Sequence, residues 1–533
     1  MRPRRHTCVV RCIFVSVALI AACAVAPTLH AQDDVDVPEA GAVPEAGAVP
    51  EVGDSPAAGD SSEVSGEQAA TAGDNQLDQA QEDEPPRYDA WGARRNVGLA
   101  VGQMAGINAL VWFYNEYIRQ GGFTHVSPAS FWSNFSSGFF FDDNHFSNNL
   151  FAHPYHGSLY YSAARSNGLN YWESLPFALM GSFFWECCGE VHPPAFNDWV
   201  ATSIGGIAIG EVLYRAGSSF LDNEATGAER VFKEIGGFLV NPVRGFNRLV
   251  SGRAARVRPN PSDPYDRIPP DLNNFVKLGV RLIGDRTTTE SFQTDTEELD
   301  GFFEFNLNFG DPWRNTRRKP FDFFTLGLQL NFTDKELIGR LQIWGNLYST
   351  ELKKSEKVHH VFGITQNYDF VNNNAVEFAG LSFGGALFSE WKLSETWDLR
   401  THLNIHGYAL GAVNSEYAFL AVVPDRERLR EYDMGLGAGV WGRVAFTHGG
   451  REIATVRYRF AYMNTLNGSA VNAGDTYHIL HWGGVQGILP IGRWGIGVDA
   501  AAYVRSSFFE LIGFDTVRQD VGEVRLFGVF QTF

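Results

Sequence analysis

The chain has 533 residues, a formal net charge of −18, 14% aromatic residues and 5 cysteines. The length exceeds that of one small domain, and an acidic balance without a concentrated basic face argues against nucleic acid as a partner. Cys8, Cys12 and Cys23 lie in or beside the N-terminal segment, and the remaining Cys187 and Cys188 are adjacent, so no disulfide framework is expected.

The chain opens like an export signal. Arg2, Arg4, Arg5 and Arg11 precede and flank the apolar run Ile13–Ile20, which is too short to cross a bilayer. Two processing sites compete: cleavage after Ala31, leaving Gln32, or lipidation of Cys23 in the box Ile20-Ala21-Ala22-Cys23. From Asp33 to Glu84 the chain holds fifteen acidic residues and no Lys or Arg. That composition cannot bury enough apolar surface to offset its ordering entropy, so a disordered tether is expected.

At Asn96 the texture changes. Val97–Tyr114 is apolar with Gly98, Gly102 and Gly106 on one face. It reads as a bilayer span or as a helix packed through a small-residue face; Gln103 and Asn108 weigh against lipid on all sides. Residues 121–152 read as an aromatic, polar loop. Three helical pieces follow: His156–Asn167, ending at Gly168; a second from Asn170, with Glu173 set for a capping box, to about Cys188; and a third from Asn197 or Asp198 to Arg215. In the third, Glu211 and Arg215 make an i,i+4 pair, and Asp198, Thr202, Gly206 and Gly210 form a stripe. Residues 224–272 read as a connector whose arginines 244, 248, 253, 256 and 258 meet anionic headgroups or simply solvent.

After Asn273 the period becomes two. Val276, Leu278, Val280 and Leu282 alternate with Lys277, Gly279 and Arg281. Twelve candidate strands lie near 275–285, 300–309, 320–333, 337–350, 357–370, 375–389, 396–411, 431–447, 452–464, 475–489, 492–506 and 519–533. Strands of ~10 or more residues with one apolar face fit a transmembrane barrel, whereas strands of globular domains average about 5–6 residues. The fold expected is α+β: a helical domain of about four to six helices, then an antiparallel transmembrane β-barrel of 12 strands. The boundaries are 1–31 signal, 32–93 tether, 94–222 helical domain, 223–272 connector and 273–533 barrel.

The segments HPYHGSLYYSAARSNG, YWESLPFALMGSFFWECCGE, NDWVATSIGGIAIGEVLYR and NPVRGFNRLVSG, in that order, resemble a family of bacterial envelope proteins, the domain of unknown function DUF3943, over about residues 96–250. The resemblance implies an exported, outer-membrane protein and implies no reaction.

The same stretch is dense in groups that are costly to bury. His153 and His156, joined by Asp142, Asp143, Glu186, Glu190 or Asp198, are candidate metal ligands, since imidazole with carboxylates suits zinc, iron or manganese. Ser158 or Ser182 with either histidine is the hydrolase candidate; with His153, His156, Glu186 and Asp198 these make the catalytic candidates. The bland alternative is a structural polar network of Arg165, Asn167, Glu173, Glu190, Asn197, Glu211 and Arg215. His402, Asn404 and His406 share a strand face and are expected in the barrel lumen.

The function expected is a structural envelope protein of the Gram-negative outer membrane, with the helical domain plugging or capping the barrel and the tether in the periplasm. The alternatives are an outer-membrane enzyme acting on lipid or envelope substrates, and a pore. No cofactor is expected. The partners are outer-membrane lipids and the barrel-assembly machinery, through the terminal Phe533.

Overall fold

The period-two segments form a closed antiparallel barrel in which each strand pairs with its sequence neighbours and the first with the last. The strands are β1 Asn273–Thr288, β2 Gln293–Phe309, β3 Phe324–Asn331, β4 Ile338–Lys354, β5 Val358–Asn372, β6 Glu377–Lys392, β7 Trp397–Asn414, β8 Tyr432–His448, β9 Arg451–Asn467, β10 Thr476–Ile491, β11 Trp494–Phe509 and β12 Val517–Thr532. This is a computed structural model; it describes residues 88–532 except 291–292, 315–318, 333–335, 374, 416–429, 470–475 and 511–514. The export signal, Cys23, the acidic tether up to residue 87 and Phe533 lie outside the described residues.

Alternation assigns the two faces of the wall. Lys277 and Arg281 point inward, where they meet Glu304 at 2.8 Å and Asp300 at 2.8 Å. Arg459 on β9 reaches Asp369 on β5 at 2.8 Å, across the lumen. Val371, Phe378, Tyr408, Met463, Leu480 and Tyr503 pack together in the same interior. His402, Asn404 and His406 face it too: Asn404 donates to the Thr365 hydroxyl at 2.8 Å, and His402 packs on Trp344, Phe388 and Trp441. The barrel's own side chains therefore occupy its interior. The opposite face carries exposed Leu278, Val280, Leu282, Leu299, Ile364, Phe383, Ile405, Leu436, Val498 and Leu526.

The helices are α1 Val97–Phe113, continued by a π turn to Arg119; α2 Pro128–Ser137; α3 His153–Ser166, entered through a π turn at Asn148–Ala152; α4 Tyr171–Cys188; α5 Phe196–Val200; α6 Gly206–Ser218, joined to α5 by the π turn Ala201–Gly205; α7 Gly227–Val240; and α8 Pro242–Val250. Asn170 and Glu173 form the expected capping box. Three local expectations fail. The helix expected from His156 begins at His153, with Pro154 in its first turn. Residues 128–137 are helical rather than loop, because Ser127 and Ser130 make a capping box around Pro128. Ala195, not Asn197 or Asp198, occupies the cap of α5, and both polar residues are buried within its first turns.

The helices neither plug nor cap the barrel; they lie on its outer wall. Phe305, Leu307, Leu326, Leu328, Leu341, Ile343, Tyr368, Phe370, Ala379 and Leu381 share the parity of the exposed outward residues yet are buried. What buries them is the helical side: Phe146, Leu150, Tyr171, Ala201, Ile207 and Val212 belong to the same core. Direct bonds cross this seam. Tyr368 donates to the Leu150 carbonyl at 2.6 Å, Gln366 to the Ile204 carbonyl at 2.9 Å, and Tyr171 to the Gln366 side chain at 2.8 Å. The physical reason is volume and polarity. The lumen is filled by side chains of the barrel, while the row on β2 to β6 offers a broad apolar surface to which a helical face can dock.

The helices run up and down this wall. Call the end where β1 begins and β12 finishes the near end. Arg215, late in α6, bonds Asp322 just before β3, at the near end. Asn149, ahead of α3, bonds Tyr432 at the start of β8, at the far end. Val97–Arg119 is 23 residues of apolar helix, mostly exposed; at about 1.5 Å per residue it matches the ~30 Å hydrocarbon core of a bilayer. Close approach is set by glycine: a Cβ on Gly157 of α3 would overlap the Thr202 carbonyl oxygen.

Candidate functional site

Two polar centres lie inside the bundle. The near-end centre is an ionic network. Glu211, fully buried, accepts from Arg165 at 2.7 and 3.2 Å, from Tyr161 at 2.7 Å and from Arg215 at 2.8 Å. Arg215 goes on to Asp322 at 2.6 Å and to the Pro320 carbonyl at 2.6 Å, which ties α6 to the barrel. Around it, Asn167 donates to Gln103 at 2.6 Å, and Glu173 pairs with Arg95 at 3.0 Å. Of the connector arginines, Arg244 and Arg248 are buried and face neither headgroups nor water. Arg244 donates to the Tyr214 carbonyl at 2.7 Å and Arg248 pairs with Glu234 at 2.6 Å. The Glu211, Glu173 and Arg248 charges are matched by opposite charges, while Arg244 is held by the Tyr214 carbonyl and the Ser218 hydroxyl.

The far-end centre is different. His153 of α3, Glu186 of α4 and Asp198 of α5 each offer one donor atom, all within 4.8 Å of one another. The His153 Nε2 lies 3.7 Å from Asp198 Oδ2. Glu186 is fully buried and Asp198 2% exposed. Each of the three side chains is held by its other end. The Thr202 hydroxyl sits 3.3 Å from His153 Nδ1, the Ala195 N–H donates to Glu186 Oε2 at 3.0 Å, and Asn197 donates to Asp198 Oδ1 at 2.7 Å. Asn197 also accepts from the Asp142 N–H at 2.9 Å, which brings that loop over the cluster. Glu190 stands in the loop after α4; burial, with Asp142 beside it, pushes its carboxyl up to about 8. The helical order is broken on both sides, by the π turns before His153 and after Asp198. Such turns often re-aim side chains at functional positions.

The other sequence candidates go elsewhere. His156 turns to the Tyr160 hydroxyl at 2.9 Å and packs edge-on to Trp185. Ser158 is fully buried and donates to the Tyr155 carbonyl at 2.6 Å. Ser182 is buried with its hydroxyl unpartnered. Among the described residues no serine hydroxyl is hydrogen-bonded to His153 or His156. Asp143 is exposed and lies 3.7 Å from Arg430. The arrangement suits holding a cation far better than activating a serine. Thr202 is the contributor that sequence reasoning passes over. Its place one helical turn after Asp198 is the available signal.

No curated protein matches this sequence. Among solved structures, the Pseudomonas putida toluene transporter TodX is 8% identical, with a TM-score of 0.20 over 49% of this chain and 89% of its own. The NanC porin is 9% identical, TM-score 0.23, over 48% and 100%. A FadL homologue of Pseudomonas aeruginosa is 10% identical, TM-score 0.20, over 51% and 94%. In sequence, residues 138–243 match the family model described as Domain of unknown function (DUF3943). That span runs from the loop before Asp142 through α3, α4, α5, α6 and α7 into the start of α8, and α1 and α2 lie outside it.

Proposed function

We propose that the protein resides in the outer membrane, where the barrel is an anchor and a docking wall and the helical bundle stands beside it within the bilayer. The observation that carries this reading is the shared parity of two rows on one wall. Leu299, Ile364 and Phe383 are exposed and apolar, while Leu307, Tyr368 and Leu381 on the same face are covered by helices. A face that is apolar over its whole circumference belongs in lipid. The bundle continues it. Leu99, Leu110 and Phe113 of α1 and Leu179, Met180 and Phe184 of α4 are exposed, and no described element covers them. Val231, Phe232, Ile235 and Phe238 of α7, with Phe246, Leu249 and Val250 of α8, give an apolar face at the near end suited to the membrane interface.

The export signal and the tether ahead of it fit a near end in the periplasm. The same geometry speaks against a free pore, because the Asp369–Arg459 pair crosses the lumen and interior side chains of β5, β6, β7, β9, β10 and β11 cluster inside it. Full-length protein in planar bilayers tests this. The scaffold reading expects no stable conductance steps beyond background, and large, long-lived steps contradict it. A benzoylphenylalanine at Phe113 should capture lipid in native membranes; capture of soluble periplasmic protein instead opposes a membrane-embedded bundle.

A second reading, an enzyme acting on a lipid or envelope substrate, is favoured by one observation: the His153, Glu186 and Asp198 cluster at the far end. Lipid mass spectrometry of membranes carrying wild type or His153→Ala tests it. Identical profiles with folded barrels would count against lipid chemistry.

A further inference from the structure

We propose that His153, Glu186 and Asp198 bind one divalent first-row metal ion, with Glu190 and Asp142 at its edge. The geometry comes first. Ligand atoms held about 2.0–2.2 Å from a common ion stand roughly 3 to 4.4 Å apart, and the three donor atoms here lie within 4.8 Å of one another before any ion draws them in. The His153–Asp198 pair, at 3.7 Å, already falls inside that range.

The second observation is the direction of the free atoms. Glu186 is fully buried, its Oε2 accepts from Ala195, and its Oε1 has no hydrogen-bond partner. Asp198 keeps Oδ1 on Asn197 and turns Oδ2 to His153. His153 has Thr202 at Nδ1 and leaves Nε2 facing the carboxylates. Each ligand is thus oriented by a neighbour at one atom and presents the other, as second-shell partners arrange metal ligands.

The third observation is charge. Elsewhere this chain matches buried carboxylates with its own cations. Glu211 has Arg165 and Arg215, Glu304 has Lys277, Arg340 and Arg525, and Asp300 has Arg281. Among the described residues no Lys or Arg forms an ion pair with Glu186, Glu190 or Asp198. A bound dication supplies the missing charge, and burial without one is expensive. The donor set of one imidazole and carboxylate oxygens suits Zn²⁺ or Mn²⁺; it lacks the thiolates that favour Cu(I) or iron–sulfur clusters. With three protein ligands the shell keeps an open position. This inference stands whether or not the bundle meets lipid.

The test uses full-length protein in detergent, stripped with EDTA and titrated with Zn²⁺ against a fluorescent chelator and with Mn²⁺ by electron paramagnetic resonance. Heat-dependent mobility on SDS gels reports that the barrel is folded. The proposal expects one saturable equivalent of Zn²⁺ or Mn²⁺ per chain. Loss of an outer-shell partner of a metal typically costs about 10- to 100-fold in affinity, so Glu186→Gln and Asp198→Asn should lose at least that much. Glu173→Gln, at the near-end capping box, should keep wild-type affinity. Folded wild-type protein that shows no saturable binding of either ion overturns the proposal without any variant. So does binding that is equal in wild type, Glu186→Gln and Asp198→Asn.

Discussion

Arg215→Met is the sharpest perturbation of the seam between bundle and barrel. Arg215 makes three short bonds: to Glu211 at 2.8 Å, to Asp322 at 2.6 Å and to the Pro320 carbonyl at 2.6 Å. Methionine keeps most of the volume and removes the charge. Glu211 retains Arg165 and Tyr161, so it is only half uncompensated. Asp322 retains the Lys319 N–H at 3.1 Å. Breaking a buried pair from one side costs about 3–5 kcal/mol, and the surviving partners place this case near the lower figure. About 3 kcal/mol corresponds to roughly a hundredfold change in an opening equilibrium. The assay is amide hydrogen exchange of Gly206–Ser218 in detergent, with the strands as internal reference. The variant should exchange roughly a hundredfold faster in α6 while β9 to β12 stay unchanged. Asp322→Asn, which keeps an acceptor, should cost less, about 1–2 kcal/mol. Unchanged exchange in α6 of folded Arg215→Met protein would refute the claim that this network holds the bundle to the wall.

Further outcomes follow from other contacts. Gly157→Val places atoms on the Thr202 carbonyl, which is backbone and cannot swing away. It should destabilise the bundle by at least about 1–3 kcal/mol, read as faster proteolysis of 97–250 with the barrel still heat-modifiable. Burial pushes the Asp222 carboxyl up, but hydrogen bonds from Lys233 and Asn260, with the Arg267 charge, outweigh it and hold it below the ordinary aspartate range. A depressed folded value means its contribution is present above the ordinary aspartate pKa and is lost as pH falls through the lower folded value. Protease resistance of residues 219–267, which Asp222 ties together through Lys233, Asn260 and Arg267, should therefore drop on acidification below about pH 4, and Asp222→Asn should weaken this segment at neutral pH and flatten that dependence.

The barrel was legible because side-chain alternation is a property of each strand alone: Lys277 and Arg281 against Leu278 and Val280 needs no partner to be read. Helix caps at Asn170 were legible for the same local reason. The docking of the bundle was not. An outward row such as Leu326, Leu328 and Leu330 has the same composition whether lipid or protein covers it. The signal that existed was faint: Gln366 stands on the outward parity of Ile364 and Phe362, where a lipid-facing wall has little use for an amide. The far-end cluster was half legible. The residue types were visible, but His153, Glu186 and Asp198 sit on three helices. Their convergence depends on the close α3–α6 packing at Gly157 and on π turns that no local pattern announces. Arg244 and Arg248 misled because a basic run looks solvated until the helix that covers it is known.

The central claim is that the bundle sits outside the barrel, and adjacent residues on β5 test it directly. Phe370 stacks on Phe146 and packs on Phe151 of the bundle, while its neighbour Val371 lies in the lumen with Phe378 and Met463. A photo-crosslinker at Phe370 should attach to residues 146–151 and one at Val371 to barrel strands. The reverse pattern, with Val371 reaching the helices and Phe370 capturing lipid, would contradict the account.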